Sequence, residues 1–287
     1  MASLKELDTY AENTWCPGCG NFGILTALKR ALTQAFDSGL QEKDVVLVSG
    51  IGCHAKIVDY VDVNSFYSLH GRVLPPATGI MLANPELTVI GHAGDGDAYG
   101  EGIAHLVFAA KRNIDVTLIV HNNRVYGLTT GQFTPTSPEG FKGRSTPAGS
   151  PEPPLNPLEL MLASGATFVA RGYSGKISHL KDLIIKAINH RGFSFIDVLQ
   201  PCYTFFNTYS YYNELVYEIE EKESRPRDKK QAMELATRWN YQQDNSPIPI
   251  GIFFQEQRPT FQDELLKGKG GKKERVWDVD SFVLKMI

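Results

Sequence analysis

The sequence predicts an α/β protein with a doubly wound, mostly parallel sheet, and three observations carry this prediction. Short apolar runs typical of buried strands alternate with stretches whose apolar residues recur at helical spacing. Polar turns rich in glycine, asparagine and cysteine follow several of the strands. The chain has 287 residues, of which 42% are hydrophobic, and this is enough for one large α/β core.

The first elements are a helix and a buried strand. Residues 22–36 form an amphipathic pattern that residues 37–39 close with a turn signal, and residues 45–48 read as a strand. The turn at the carboxyl end of this strand runs from Ser49 to Cys53.

The central stretch predicts a strand, a helix and a second parallel strand. Residues 87–90 and 115–120 are apolar runs, and between them apolar residues recur at i, i+3, i+4 and i+7 from Ile103. The polar turns at Asp95 and at Asn122-Asn123 then lie at the same carboxyl edge of the sheet. Open α/β sheets bind their ligands at that edge.

Later elements continue the alternation. Residues 140–157 predict a loop rich in Gly, Pro and Ser, residues 158–164 and 177–190 predict helices, and residues 195–199 predict a strand. Residues 218–239 read as a solvent-facing helix interrupted at Pro226, and residues 267–273 as a flexible basic stretch. We expect a domain over 1–202 and an extension over 203–287 that contacts a partner protein.

The central turns suit a metal-bound diphosphate. Asp95 and Asn123, 28 residues apart, offer oxygen atoms to Mg²⁺, and glycines at 94, 96 and 100 let backbone N–H groups approach phosphate. A simpler interpretation is an Asp helix cap and an Asx turn in an ordinary nucleotide-binding sheet. A dinucleotide site is disfavoured because the G-x-G-x-x-G spacing is absent and a carboxylate repels phosphate unless a metal lies between them.

Four cysteines form a second group: Cys16 and Cys19 in a C-x-x-C pair, Cys53 after the first strand, and Cys202 after the strand 195–199. Four thiolates suit either zinc or an iron-sulfur cluster, and spacing alone does not separate these. Disulfides and a thioredoxin-type redox pair are less favoured, since no signal peptide is evident and the pair precedes the first strand. Because two of the thiols emerge at the Asp95 edge, an electron carrier is the favoured interpretation.

Taken together, the motifs resemble the beta subunits of 2-oxoacid:ferredoxin oxidoreductases of the 2-oxoglutarate type, in the thiamine diphosphate-binding family. The resemblance spans nearly the whole chain and is carried by WCPGCG at 15–20, SGIGC at 49–53, SLHGRVLPPATGIMLANP at 68–85, GDGDAYGEG at 94–102, NNRVYGLTTGQFTPTS at 122–137, LQPC at 199–202 and PIPIGIFFQEQRPTF at 247–261. It implies the sheet of that family, the diphosphate module, with a C-terminal extension.

The resemblance also implies site residues. It assigns a 4Fe-4S cluster to Cys16, Cys19, Cys53 and Cys202, and Mg²⁺ to Asp95, Asn123 and the Val125 carbonyl. Thiamine diphosphate is expected to contact the three magnesium ligands, Asp95, Asn123 and Val125, together with Gly52, His54, Gly94, Gly96, Asp97, Gly127, Leu128 and Thr129.

Several of these residues also fit purely structural roles. Lys56 and His70 are the candidate catalytic residues, although Lys56 also fits a surface lysine, and His54 and His70 also fit structural histidines. Asp97 either holds a backbone amide of the diphosphate turn or caps the helix. Thr129, Thr130 and Gln132 are expected near substrate or diphosphate, and Thr130 stands where some relatives carry lysine.

The implied activity is the reversible, coenzyme A-dependent oxidative decarboxylation of a 2-oxoacid, with 2-oxoglutarate favoured and ferredoxin as electron acceptor. The resemblance places the glutamate that acts on the thiamine pyrimidine on an alpha subunit, so we expect a dimer of heterodimers that is inactive without it. The alternatives are a non-redox thiamine diphosphate decarboxylase or synthase and a four-cysteine zinc module. A net charge of −3 with scattered basic residues predicts no nucleic acid partner, and the absence of a long apolar run predicts a cytoplasmic protein without a membrane span.

Overall fold

The structure is a computed structural model that describes residues 7–219 and 227–266. The predicted basic stretch at 267–273 lies outside the described residues, as does part of the predicted helix at 218–239. No helix within the described ranges is both long enough and apolar enough to cross a membrane.

One eight-stranded sheet organises the chain, in the order β2-β1-β3-β4-β6-β5-β8-β7. The strands from β1 to β6 run parallel, β8 is antiparallel to β5, and β7 is parallel to β8. Their bounds are β1 Val45–Ser49, β2 Asn64–Tyr67, β3 Thr88–Gly94, β4 Thr117–Asn122, β5 Phe168–Tyr173, β6 Ser194–Leu199, β7 Val216–Glu218 and β8 Ile248–Gln255. The predicted α/β fold with a mostly parallel sheet is confirmed.

Helices cover both faces of the sheet, and an apolar core lies between each helical layer and the strands. The helices are α1 Asn21–Asp37, α2 Leu74–Ala83, α3 Ile103–Arg112, α4 Pro157–Ser164, α5 Ile177–Ile188, α6 Tyr209–Leu215, α7 Lys229–Ala236 and α8 Phe261–Leu266. One core contains Ile24 of α1 and Ile184 of α5, and the other contains Leu106 of α3 and Met161 of α4. Burial on both faces explains why the central strands read as continuous apolar runs.

The strand order creates a crevice at the carboxyl edge. From β1 the chain passes to β2 on one side and then to β3 on the other side, so the loops after β1 and β3 diverge. A topological switch of this kind is where α/β sheets take up ligands. The crevice therefore lies beside the predicted polar turns.

The C-terminal region differs from the sequence prediction. Within the predicted range 218–239 the structure has helix α7 at Lys229–Ala236, after Pro226, but residue 218 ends strand β7 and the helix does not face solvent alone. Ala232 and Leu235 of α7 are buried in the core. Since β7 and β8 extend the same sheet, the described C-terminal residues pack on this chain's own core, and their contact with a partner protein stays a prediction.

Candidate functional site

A cleft with about 490 Å³ of empty space opens at the carboxyl edge of the sheet. It lies among the loops that follow β1, β3, β4 and β6. The predicted residues that line it are Gly52, Cys53, His54, His70, Gly94, Asp95, Gly96, Asp97, Asn123, Val125, Gly127, Leu128 and Thr129. Ile51, His121, Tyr126 and Gln200 also line it. The structure therefore brings the two predicted polar turns together at one site.

Asp95 follows β3 directly and is only 2% exposed. Its Oδ2 accepts a hydrogen bond from Thr136 Oγ1 at 2.8 Å, and the side chain makes no capping bond to the helical turn that it begins. The pKa of Asp95 is raised to about 6, mainly by burial and also by the nearby Asp197 carboxylate, against the lowering effect of hydrogen bonds from Thr134 and Thr136. A buried carboxylate beside another carboxylate is stabilised by a bound cation. The simple helix-cap interpretation of Asp95 is not what the structure shows.

The second oxygen donor comes from the turn after β4. Asn123 Oδ1 accepts a hydrogen bond from Val125 N at 3.0 Å, which fixes the amide within the turn. Arg124 between them has a left-handed backbone (φ 61°) and a fully buried side chain. Asp95, Asn123 and Val125 all line the cleft, and their oxygens are the ligand type that Mg²⁺ prefers.

Gly96 allows a close contact across the cleft wall. A Cβ atom at this position would lie 2.1 Å from the ring of Tyr126, whose hydroxyl donates to Gly96 O at 3.2 Å. Burial, followed by the charge of Asp95, raises the pKa of Tyr126 to about 12, so the phenol stays neutral. Only glycine lets the backbone after Asp95 pack this closely, and that backbone carries the amides that suit a phosphate.

Asp97 joins three loops around the cleft. Its Oδ1 accepts from Gly71 N, its Oδ2 lies 3.2 Å from His54 Nε2, and His70 Nδ1 lies 3.9 Å from Oδ1. A Cβ at Gly50 would lie 1.9 Å from Asp97 Oδ2, so glycine is required there. Asp97 accepts a hydrogen bond from the backbone amide of Gly71, in the loop after β2, and not from the diphosphate turn for which it was predicted.

The four cysteines converge beside the cleft. The N-terminal pair meets the loop after β6 because Gly20 N donates to Pro201 O at 3.1 Å. A Cβ at Gly127 would lie 3.6 Å from Cys53 Sγ and 3.8 Å from Cys202 Sγ, so these two sulfurs flank the cleft residue Gly127. All four thiols are free.

The thiols influence one another electrostatically. The pKa of Cys19 is raised to about 12, mainly by burial and also by Cys202, Cys53 and Cys16. Burial and then Cys202 raise the pKa of Cys53, while Lys56 acts in the opposite direction. Several thiolates in one place require positive charge among them, which iron or zinc supplies. No three His, Cys, Asp or Glu residues within 7–219 and 227–266 are arranged to hold a single metal ion.

Lys56 lies outside the set of residues that line the cleft. Its Nζ donates to Thr14 Oγ1 at 2.8 Å, beside the N-terminal cysteine loop. Thr129 does line the cleft, and it exchanges hydrogen bonds with Gln132. Thr130 adopts a left-handed backbone (φ 75°) in the same turn.

Sequence reasoning missed two buried polar residues at this site. Gln200 Nε2 lies 3.7 Å from Cys19 Sγ while the side chain also lines the cleft. Thr136 contacts Asp95 from a loop position 41 residues away. No spacing rule links such distant positions, although both residues lie within or beside motifs of the resemblance.

Two family models match the chain. The model described as thiamine pyrophosphate enzyme, C-terminal TPP binding domain, matches residues 50–198, which include the cleft. The model that describes the C-terminal part of the pyruvate ferredoxin oxidoreductase beta subunit matches residues 201–269.

Curated relatives extend the similarity over most of the chain. A 2-oxoacid:ferredoxin oxidoreductase subunit beta from Saccharolobus solfataricus is 47% identical over 267 residues, covering 90% of this chain and 85% of the relative. A 2-oxoglutarate synthase subunit KorB from Methanothermobacter thermautotrophicus is 42% identical, covering 67% of this chain and 66% of the relative.

A solved structure shares the fold. The 2-oxoglutarate:ferredoxin oxidoreductase from Magnetococcus marinus, with 2-oxoglutarate, coenzyme A and succinyl-CoA bound, superposes with a TM-score of 0.89 at 34% identity. The match covers 100% of this chain and 96% of that chain.

Proposed function

Because this chain belongs to the beta subunits of the 2-oxoacid:ferredoxin oxidoreductases, which are thiamine diphosphate-dependent enzymes, we propose that it catalyses oxidative decarboxylation of 2-oxoglutarate. The products are succinyl-CoA and CO₂, and the electrons pass through a 4Fe-4S cluster to ferredoxin. One observation carries this proposal: Cys53 and Asn123 line the same cleft as Asp95, so a cysteine group adjoins the metal-diphosphate turns.

Mg²⁺ and the diphosphate fit the cleft wall after β3 and β4. Asp95 and Asn123 supply side-chain oxygens and Val125 its carbonyl, while the backbone after Asp95 approaches phosphate where Gly96 leaves room. When bound, thiamine diphosphate supplies the carbanion chemistry that releases CO₂. The protein's contribution is to hold the cofactor and to exclude water from the buried side of the cleft.

The four cysteines suit a cluster that carries electrons. All four thiols are free, and the other three cysteines each act on the pKa of Cys19. Four thiolates can bind either zinc or a 4Fe-4S cluster. We favour the cluster at Cys16, Cys19, Cys53 and Cys202 because oxidative decarboxylation releases electrons, and these thiols adjoin the cleft proposed for thiamine diphosphate.

His70 and Lys56 remain candidates for different tasks. His70 lines the cleft, with Nδ1 3.9 Å from Asp97 Oδ1, and this supports a contact with the substrate. Lys56 lies beside Cys53, and its charge favours the thiolate form there. We propose that Lys56 acts on the cysteine group and that His70 acts on the substrate.

A second protein chain completes the site in this proposal. The family name identifies the present chain as one part of a larger enzyme, and no glutamate lines the cleft in the part of the chain that the structure describes. We propose an alpha subunit that supplies the missing glutamate, arranged as a dimer of heterodimers. Free thiols persist in reducing compartments, which supports a cytoplasmic location.

The test is reconstitution of the chain with its alpha subunit under anaerobic conditions. Acyl-CoA formation is measured with 2-oxoglutarate, pyruvate and 2-oxobutyrate in parallel, with ferredoxin as acceptor. We expect the highest kcat/KM for 2-oxoglutarate and no turnover by the beta chain alone. Preference for pyruvate would overturn the substrate assignment, and full activity of the isolated chain would overturn the shared site.

A further inference from the structure

A buried polar network connects Asp95 to the interior of the sheet. Thr136 is fully buried in the loop after β4, and its Oγ1 lies 2.8 Å from Asp95 Oδ2 and 2.9 Å from Asn122 Oδ1. One hydroxyl thus bridges the ends of β3 and β4, the two strands whose turns supply the proposed cation ligands.

Asp197 of β6 sets the orientation of the Asn122 amide. Asn122 Nδ2 donates to Asp197 Oδ1 at 2.9 Å, so its carbonyl oxygen faces Thr136. Tyr99 and Tyr241 hydroxyls also donate to Asp197, each at 2.6 Å. With the acceptor face of Asn122 fixed, Thr136 sits between two acceptors and has one proton to give. The ionised Asp95 carboxylate is the stronger acceptor, so it takes that proton.

The turn that carries Thr136 also contacts the turn after β4, which supplies the other proposed cation ligands. Ser137 Oγ donates to Arg124 O at 2.6 Å, and Arg124 Nε donates to Thr136 O at 2.9 Å. Arg124 lies between Asn123 and Val125. The turn that carries Thr136 therefore contacts both the Asp95 side and the Asn123 side of the cleft.

We propose that Thr136 is a positioning residue for the Mg²⁺-diphosphate site. Its hydroxyl holds Asp95 in the orientation in which the carboxylate lines the cleft, and its backbone anchors Arg124 so that Asn123 and Val125 face the same space. The inference rests on the proposed function, because it assumes that these residues hold Mg²⁺. Thr136 itself contacts neither metal nor substrate.

The test uses the reconstituted complex with its alpha subunit, and it compares T136V, T136S and wild type. Valine keeps the shape of threonine without its hydroxyl, and serine keeps the hydroxyl. Binding of thiamine diphosphate is followed by calorimetry at increasing Mg²⁺, which gives the Mg²⁺ concentration for half-saturation. For T136V we expect this concentration to rise about 10- to 100-fold, the usual effect of losing a partner of a metal ligand. T136S is expected to bind like wild type.

Thr117→Val is the matched control. Thr117 lies at the opposite end of β4, is also buried, and donates to Ala187 O at 3.2 Å. The T117V variant also loses a buried hydroxyl, but far from the cleft. Its Mg²⁺ concentration for half-saturation should therefore equal that of wild type. If T136V does not fold, T136A removes the same hydroxyl and carries the same expectation.

The outcomes separate the two hypotheses. A higher Mg²⁺ concentration for half-saturation in T136V supports the positioning role when its iron content and melting temperature equal those of T117V. An unchanged Mg²⁺ concentration for half-saturation in T136V overturns this role, and so does an equal rise of that concentration in T136S. Failure of the wild-type complex to bind thiamine diphosphate in a Mg²⁺-dependent way would instead overturn the proposed function.

Discussion

Burial raises the pKa of the Asp95 carboxyl above its ordinary value, because its charge is shielded from water and lies close to Asp197. The family makes thiamine diphosphate the matching cofactor, and we have proposed Mg²⁺ as its metal. In that proposal Asp95 is a metal ligand held in place by its surroundings, and Thr136 is part of those surroundings.

Asp95→Asn is expected to abolish Mg²⁺-dependent binding of thiamine diphosphate, because the amide keeps the shape and removes the charge. Calorimetry on the reconstituted complex measures this binding. Asp115→Asn is the control, since Asp115 is also substantially buried but accepts from Gly192 N away from the cleft. Retention of tight cofactor binding in D95N would contradict the assignment.

Gln200→Leu is expected to lower the reduction potential of the proposed cluster. The amide donates toward Cys19 Sγ at 3.7 Å, and hydrogen bonds to cluster sulfurs stabilise the reduced, more negative state. A redox titration monitored by electron paramagnetic resonance measures the potential. Gln200→Glu provides a comparison that keeps the length and removes the donor, and an unchanged potential in both variants would exclude this role.

The sequence was enough to predict the site residues that directly follow a strand. Asp95 and Asn123 directly follow strands, so their meeting at one edge follows from parallel pairing. Thr136 and Gln200 were not predicted, since they act through contacts 41 and 181 residues distant in sequence. Lys56 was a candidate catalytic residue with a surface lysine as the alternative, and the structure shows its Nζ donating to Thr14 Oγ1.

The secondary structure elements show a similar division. The runs that became β1, β3, β4 and β6 were predicted because both faces of these strands are buried. β3 extends to Gly94, past the predicted end at residue 90, since the glycine at 91 packs against Val73 and Leu118 without breaking the strand. β2 was missed because its four residues are all exposed and carry no burial pattern.

The C-terminal strands β7 and β8 were also not predicted from the sequence. Trp239, which lies between these strands in the sequence, connects this region to the rest of the sheet. Its side chain is 1% exposed and lies between the buried guanidinium groups of Arg124 and Arg171, at 5.5 and 5.0 Å from the ring. Aromatic faces attract guanidinium groups, so this stack joins the C-terminal region to the sheet.

Trp239→Ala is expected to destabilise the fold by about 3–5 kcal/mol, the usual cost of removing a buried large aromatic side chain. Urea unfolding followed by circular dichroism measures the change. Phe205→Ala is the control, because Phe205 is 39% exposed and should cost far less. Equal stability of W239A and F205A would show that the C-terminal region around Trp239 is not part of the core.

Two buried histidines should each make the free energy of unfolding fall as the solution becomes acidic, while the raised pKa values of Asp95, Asp115 and Asp197 act in the opposite direction. Burial lowers the pKa of His190 from 6.5 to about 4 and that of His92 from 6.5 to about 3. Below pH 6.5 these two histidines bind protons in the unfolded chain but stay neutral in the folded chain. Their contribution to stability is therefore lost as pH falls. The loss approaches about 1.4 kcal/mol per pH unit for each histidine, between pH 6.5 and the folded pKa values.

His190→Gln should make this dependence shallower by removing one of the titrating groups. Urea unfolding at a series of pH values from about 7 to about 5 measures the slope under anaerobic conditions. His190 contacts Thr167 at 2.8 Å, away from the cleft, so the change should leave cofactor binding intact. An identical slope in H190Q and wild type would contradict the role of burial.

At the level of the assembled enzyme, the central claim of the proposed function is that the cofactor cleft and the cysteine group form one redox centre. The direct measurement is electron paramagnetic resonance of the anaerobic complex with its alpha subunit after 2-oxoglutarate and coenzyme A are added without ferredoxin. We predict the signal of a reduced 4Fe-4S cluster that requires Mg²⁺ and thiamine diphosphate and is absent in Cys53→Ala. Colourless protein with stoichiometric zinc, or a cluster that stays oxidised while CO₂ is released, would contradict this prediction.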